Sequence, residues 1–260
     1  MKERLDKILI TNGLVTSRSK AQELIKESLV KVNGKIVNKA NYLIGESDNI
    51  EIIENDKLKY VSRAGLKLEK AIIEFKIDLK NKIVMDIGSS TGGFTDCSLQ
   101  NGAKKIIAID VGTKVMVDSL RKNEKVELHE NTNFKDLGHK YFENVDFAVC
   151  DVSFISLKKI IEKIYVEKVK IEGIFLIKPQ FECGKQIAKK YKGIITSKKI
   201  HLDIITELIA YFNSLGFFVK GLTMSPIKGS DGNVEYLVYL SNKISENKEI
   251  NINECVNFKE

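Results

Sequence analysis

The chain has 260 residues, 43% of them hydrophobic and 30% charged, with only 2 prolines. That composition can bury a core and excludes collagen-like, disordered and disulfide-scaffold proteins, while the length predicts one enzyme-sized domain with a small appendage. The formal charge of +7 is unevenly spread: residues 1–39 hold nine Lys/Arg against four Asp/Glu, and residues 178–199 hold seven lysines against Glu182 alone. Two basic stretches point to a polyanionic partner.

From the N-terminus, Leu5, Ile8 and Leu9 form a helical stripe that Gly13 stops. A second short helix carries Ala21, Leu24 and Ile25, with Ser19 and Gln22 in capping-box spacing. Asn33-Gly34 then separates two β-branched runs, Val30–Val32 and Lys35–Val37, as in a two-residue hairpin. A strand at Asn49–Ile53 closes the unit.

The run Arg4-Leu5-Asp6-Lys7, the segment Gly13-Leu14-Val15 to Leu24-Ile25, and Val30-x-Val32-Asn33-Gly34-Lys35 together resemble the S4-type RNA-binding domain over residues 3–53. The resemblance implies a small α+β module that holds structured RNA by phosphate and shape contacts. Arg4, Lys7, Arg18, Lys20, Lys26, Lys31 and Lys35 are its expected RNA-facing cations.

Beyond residue 60 the pattern changes to short apolar strands alternating with amphipathic helices. Seven strands are expected, at Ile83–Ile87, Lys105–Asp110, Val126–Glu130, Val145–Asp151, Gly173–Lys178, Phe217–Met224 and Glu235–Leu240. No helix fits between the last two, so they should pair antiparallel. The fold class is therefore α/β: a seven-stranded, Rossmann-like class I methyltransferase domain after a small α+β RNA-binding domain. The expected boundaries are 1–56, a linker at 57–61, the larger domain at 62–242, and a frayed tail at 243–260.

The first strand of the larger domain ends in Asp86-Ile87-Gly88-Ser89-Ser90-Thr91-Gly92-Gly93-Phe94. Ser90 breaks the dinucleotide fingerprint, and Phe94 stands where a P-loop needs its lysine. What remains is an acid, a glycine loop, and Asp110 at the end of the second strand, 22 residues after Gly88. Asp110 can accept both hydroxyls of a ribose and Asp86 can face a cationic amino-acid moiety, which suits S-adenosylmethionine. The expected cofactor set is Asp86, Gly88, Ser89, Ser90, Thr91, Gly92, Gly93, Phe94, Asp110, Val111, Asp151 and Phe154.

Cysteines at 97, 150, 183 and 255 and histidines at 129, 139 and 201 show no metal-ligand, redox or catalytic-triad spacing. No metal is expected. A cytosine C5 methylase would need Cys150 or Cys183 as its nucleophile, without a supporting motif, and the loop Asp151-Val152-Ser153-Phe154 lacks the prolines of exocyclic-amine methylases. A ribose 2′-hydroxyl needs a base or a charged neighbour for its developing alkoxide. Asp151, Lys178 and Glu235 fall at strand ends, whereas Lys67 lies off the apolar stripe of its helix and by itself reads as a solvated lysine.

Lys67, Asp151, Lys178 and Glu235 match the Lys-Asp-Lys-Glu tetrad of the FtsJ-like ribose 2′-O-methyltransferases. Taken with Ser62-Arg63-Ala64-Gly65-x-Lys67-Leu68, Asp151-Val152-Ser153-Phe154-Ile155-Ser156-Leu157, Lys178-Pro179-Gln180-Phe181-Glu182 and Gly232-Asn233-Val234-Glu235-Tyr236, the chain resembles the TlyA family from residue 3 to about 242. The resemblance implies a cytoplasmic S-adenosylmethionine-dependent enzyme that methylates cytidine 2′-hydroxyls of ribosomal RNA within ribosomal subunits, with Arg63, Lys185 and Lys189 as further RNA contacts. Lys178, a charge ending a buried strand at the cleft, is expected to receive or stabilise the hydroxyl proton. Two alternatives are a pore-forming hemolysin, a name some family members bear, and a non-catalytic ribosome-assembly factor. No apolar run approaches the roughly 18 residues of a membrane span, no apolar secretory signal follows Met1, and no pattern fixes an oligomeric state.

Overall fold

The structure is a computed structural model that describes the chain except for residues 1, 16–17, 27, 54–58, 230, 244–249 and 259–260 and the side chains at 19 and 23. Two compact units divide it, residues 1–63 and 64–260. The first residues of the expected linker, 57 and 58, lie outside the described residues.

In the first unit, β1 (Glu3–Arg4) leads into helices α1 (Leu5–Thr11) and α2 (Arg18–Lys26), followed by β2 (Val30–Val32), β3 (Lys35–Ile36), β4 (Leu43–Ile44) and β5 (Ile50–Ile52). The β2–β3 hairpin turns through Asn33 and Gly34 with φ of 50° and 76°, the two positive angles that a type I′ turn needs and that Asn-Gly accepts. β5 pairs with β2 on its other side. Leu5, Leu9, Ala21, Leu24, Ile25 and Val30 form the core, each no more than 1% exposed. The two-residue β1–β4 ladder is too short to leave a periodic signal.

A carboxylate lies inside this core. Asp6 is fully buried, and accepts hydrogen bonds from Arg4 at 2.9 and 3.0 Å, Arg18 at 3.1 Å and Gln22 at 3.1 Å. The Arg4 bonds above all, with those from Gln22 and Arg18, overcome the burial cost and hold its carboxyl well below the usual carboxylate range. Gln22 is therefore engaged with Asp6, α2 already begins at Arg18, and the capping role expected of Ser19 lies outside the described side chains.

The second unit contains α3 (Ala64–Phe75), β6 (Ile83–Ile87), α4 (Gly93–Gln100), β7 (Lys105–Ile109), α5 (Asp118–Arg121), β8 (Val126–His129), β9 (Phe147–Cys150), α6 (Leu157–Val166), β10 (Glu172–Ile177), α7 (Pro179–Glu182), α8 (Gly184–Lys190), α9 (Lys198–Ser214), β11 (Phe218–Met224), β12 (Tyr236–Ser241) and α10 (Ile252–Cys255). Its seven-stranded sheet has the order β11-β12-β10-β9-β6-β7-β8. β12 alone runs antiparallel to its neighbours, on both sides. Both faces of the central strands are buried, as a parallel sheet requires.

Register carries the sheet to the site. Ile87 lies opposite Ile109 and Cys150, and Ile177 opposite Tyr236. The next residues, Gly88, Asp110 and Asp151, therefore leave the sheet side by side. Because β12 is reversed, Glu235 enters at the same edge where Lys178 leaves.

The C-terminal tail corrects the expectation of a frayed extension. Val256 is 4% exposed in the core, Ile250, Ile252 and Phe258 pack around it, and Cys255 Sγ donates to Leu222 O at 3.0 Å. Apolar residues after 249 seal the α9–β11 side of the unit.

Candidate active site

A cavity of about 370 Å³ opens at the carboxyl edge of β6, β7 and β9, within the size range of small-molecule sites, roughly 300–1,000 Å³. Gly88, Ser90, Asp110, Val111, Asp151 and Phe154 from the expected cofactor set line it. Gly88 has φ +81°, and a Cβ there would stand 2.8 Å from Asp151 O, so only glycine lets the two strand ends approach. Asp110 Oδ2 accepts from Ser90 N at 2.8 Å and Oδ1 from Gly112 N at 2.6 Å. These bonds pin the carboxylate at the cavity wall and leave each oxygen a further lone pair for a hydroxyl.

The other six members of that set do not line the cavity. Asp86, Ser89, Gly93 and Phe94 are buried, and Thr91 and Gly92 shape the turn into α4. Gly92 has φ +99°, and a Cβ would meet Leu120 Cδ1 at 2.3 Å; packing fixes this glycine. Asp86 is held differently from Asp110. Its Oδ2 accepts from Thr95 Oγ1 at 2.6 Å and its Oδ1 is buried without a partner. Burial, countered in part by Thr95 and reinforced by the charges of Asp151 and Asp110, pushes its carboxyl up to about 7.

Thr132, Asn133 and Phe134, just beyond β8, also line the cavity. They escape a motif reading, although their place at a third strand end is the signal that could have found them. Ile87, Ile109, Val152, Ile155 and Phe134 give the pocket apolar walls.

Beside Asp151 the four expected catalytic residues form one chain of charges. Lys67 Nζ lies 2.7 Å from Glu235 Oε2 and 3.3 Å from Asp151 Oδ2, and Lys178 Nζ 2.6 Å from Asp151 Oδ1. Lys178 also donates to Ser153 Oγ at 2.9 Å, a partner that no motif suggested. Lys67 is 7% exposed, Lys178 8% and Glu235 2%, so the solvated reading of Lys67 is overturned. Burial opposes its charge, but Asp151 and Glu235 together raise its pKa above the ordinary lysine value. Asp151 is lowered for the mirror reason: burial works against its charge and Lys67 and Lys178 outweigh it. Two cations and two anions held from water can stabilise charge that develops beside them.

Neither thiol competes as a nucleophile. Cys150 is fully buried, and burial plus the Asp151 charge drive it far from thiolate formation. Burial also raises Cys183. Among the described residues no group of His, Cys, Asp and Glu could hold a metal ion.

Of the expected RNA cations, Lys7, Lys26, Lys35, Lys185 and Lys189 are exposed and Lys31 and Arg63 partly so. Lys20 is not: it is 8% exposed and donates to Tyr60 O at 3.2 Å. Arg4 and Arg18 keep 40% and 53% side-chain exposure while bound to Asp6.

A cavity at the carboxyl edge of a seven-stranded sheet whose last strand is reversed defines an α/β methyltransferase, and the comparisons agree. The FtsJ-like methyltransferase profile matches residues 60–242 and the S4 domain profile residues 3–50. Hemolysin A of Brachyspira hyodysenteriae is 45% identical, covering 91% of this chain and 98% of its own. The 23S rRNA (cytidine-2′-O)-methyltransferase TlyA of Campylobacter jejuni is 39% identical, covering 88% and 96%. A solved structure from Streptococcus thermophilus, described as a candidate hemolysin, is 38% identical with a TM-score of 0.76, covering 98% and 94%. The chain belongs to the FtsJ-like methyltransferase family, in the TlyA branch that joins an S4 domain to the catalytic domain.

Proposed function

We propose that this enzyme transfers a methyl group from S-adenosylmethionine to the 2′-hydroxyl of a cytidine in ribosomal RNA. The observation that carries the reading is the buried Lys67-Asp151-Lys178-Glu235 chain, flush with a cavity walled by Asp110 and apolar side chains. The cavity suits the cofactor: Asp110 offers two anionic oxygens to a ribose diol, Ile109 and Phe134 an apolar bed for a purine, and Asp151 a carboxylate for the cationic end. When bound, S-adenosylmethionine supplies a methyl group on a sulfonium, ready for in-line displacement.

The chain's own residues then have three tasks. Asp110 and the β9 loop fix the cofactor. Lys178, having first released its own proton to solvent, meets the 2′-hydroxyl as a neutral amine, takes the hydroxyl proton as the oxygen attacks the methyl group, and as the resulting ammonium offsets the charge growing on the oxygen. Asp151 aims Lys178, while Lys67 and Glu235 hold Asp151 in place. The S4 domain and the lysines of 185–199 hold the RNA, so recognition draws on both units while the chemistry lies in the second. We place the reaction in the cytoplasm, where its substrate is.

The hemolysin name among the relatives does not redirect this reading. Among the described residues no helix is long and apolar enough to cross a membrane, and the apolar residues of the strands are spent on the core. A non-catalytic RNA-binding role leaves the buried tetrad without a purpose.

The test is incubation of purified protein with methyl-labelled S-adenosylmethionine and unmodified rRNA, followed by digestion to nucleosides. Label in 2′-O-methylcytidine is expected. Label on a base, or none in RNA that the protein binds, would reject the proposal.

A further inference from the structure

The residues Glu182, Ser156 and Leu157 belong to the sequence motifs, and their side-chain and amide contacts run to one another rather than to the tetrad, whereas Phe181 N donates to Lys178 O at 2.9 Å. Glu182 ends α7, the single helical turn that Lys178 begins. Its Oε2 accepts from Ser156 Oγ and its Oε1 from Leu157 N, both at 2.6 Å. Ser156 is in turn the N-cap of α6, accepting from Lys158 N at 3.2 Å. The loop 151–157 and the turn 178–182 are thus tied at three levels. Lys178 grips Asp151 and Ser153 at one end, the Phe154 and Phe181 rings meet at 5.0 Å in the middle, and Glu182 closes the far end.

Two features make this far tie more than packing. Among the described residues no lysine or arginine forms an ion pair with Glu182: its direct donors are the neutral Ser156 hydroxyl and Leu157 amide, the Lys158 charge helps from farther off, and burial outweighs them and raises the pKa of this half-buried carboxyl. Phe154, between the ties, has φ +64° and is 90% exposed. A bulky side chain in the left-handed region persists only where its surroundings impose the backbone, and the two anchors supply that restraint.

We infer that Glu182 is a positioning residue for methyl transfer, a clamp that fixes the Asp151 loop against the turn bearing Lys178. The inference rests on the proposed chemistry of that pair. Without the clamp, the loop keeps its strand origin at Asp151 but loses its second fixed point. The distance between Asp151 and Lys178 then fluctuates, and small misplacements of reacting groups are costly.

The experiment measures single-turnover methylation at saturating rRNA, together with cofactor and RNA dissociation constants, for wild type, Glu182→Gln, Ser156→Ala and the double variant. Glutamine keeps the shape and loses the charge that both donors share. Glu182→Gln should slow the single-turnover step about tenfold or more, with both dissociation constants within about twofold of wild type. Ser156→Ala should slow it less, and the double variant no more than Glu182→Gln, because residues acting through one contact are not additive. A wild-type rate in Glu182→Gln, a loss confined to cofactor or RNA affinity, or full additivity would overturn the clamp. Absence of methylation by wild type would instead reject the chemistry it serves, so the two failures are distinguishable. Should Glu182→Gln not fold, Ser156→Ala still decides: a wild-type rate overturns the clamp, and a selective loss of rate supports it.

Discussion

Lys67 is buried because two carboxylates, 84 and 168 residues away in sequence, meet it at the sheet edge. Its own helix gives no hint of them, which is why local periodicity leaves it in solvent. Asp110 is the opposite case, since a strand-end acid at this spacing after a glycine loop stands out in the local sequence. Asp110→Ala should weaken S-adenosylmethionine binding by about 1.5 to 3 kcal/mol per lost charge-assisted bond, read by calorimetry; unchanged affinity would place the ribose elsewhere. Asp86 makes a separate prediction. Its carboxyl titrates near 7 in the folded chain against 3.8 for the ordinary side chain. The folded state therefore binds more protons between these values, and stability declines as pH rises through that window, with the full loss present above about 7. Asp86→Asn should flatten this decline in denaturant titrations at pH 5 and pH 8. An unaltered pH dependence would assign it to another group.

Elements were more legible than contacts. The seven strands of the sheet follow from apolar runs bounded by turn residues, and the observed ends fall within two residues of those expected. The β2–β3 hairpin follows from Asn33-Gly34 alone. The β1–β4 ladder and the docked tail could not be read, the first because two residues carry no period and the second because its partners are distant. Helix faces in the first unit show the same divide. Arg4, Arg18 and Lys20 read as one basic surface, but the arginines bind buried Asp6 and Lys20 is committed to Tyr60 O. Neutralising them would disturb the fold along with any RNA contact. Glutamine at Lys7, Lys26, Lys31 and Lys35 should instead leave thermal stability near wild type and weaken rRNA binding. The slope of log affinity against log salt should fall by about 0.7 to 0.9 per lost phosphate contact. An unchanged slope would move the RNA surface off this unit.

At the scale of the molecule, two folded units divide the labour, and the reversed β12 is the device on which the chemistry depends. A parallel seventh strand would deliver its C-terminal residue to the edge beside Lys178; the reversed strand delivers Glu235 instead, and with it the second carboxylate that keeps Lys67 charged. On the proposed mechanism this edge performs methyl transfer and Lys178 manages the hydroxyl proton. The most direct measurement is the single-turnover methylation rate at saturating rRNA, across a range of pH, for wild type and Lys178→Ala. Lys178→Ala should lose about 10²- to 10⁴-fold in rate, while cofactor and RNA dissociation constants stay near wild type. A variant that methylates at the wild-type rate, with only its RNA dissociation constant raised, would contradict that mechanism.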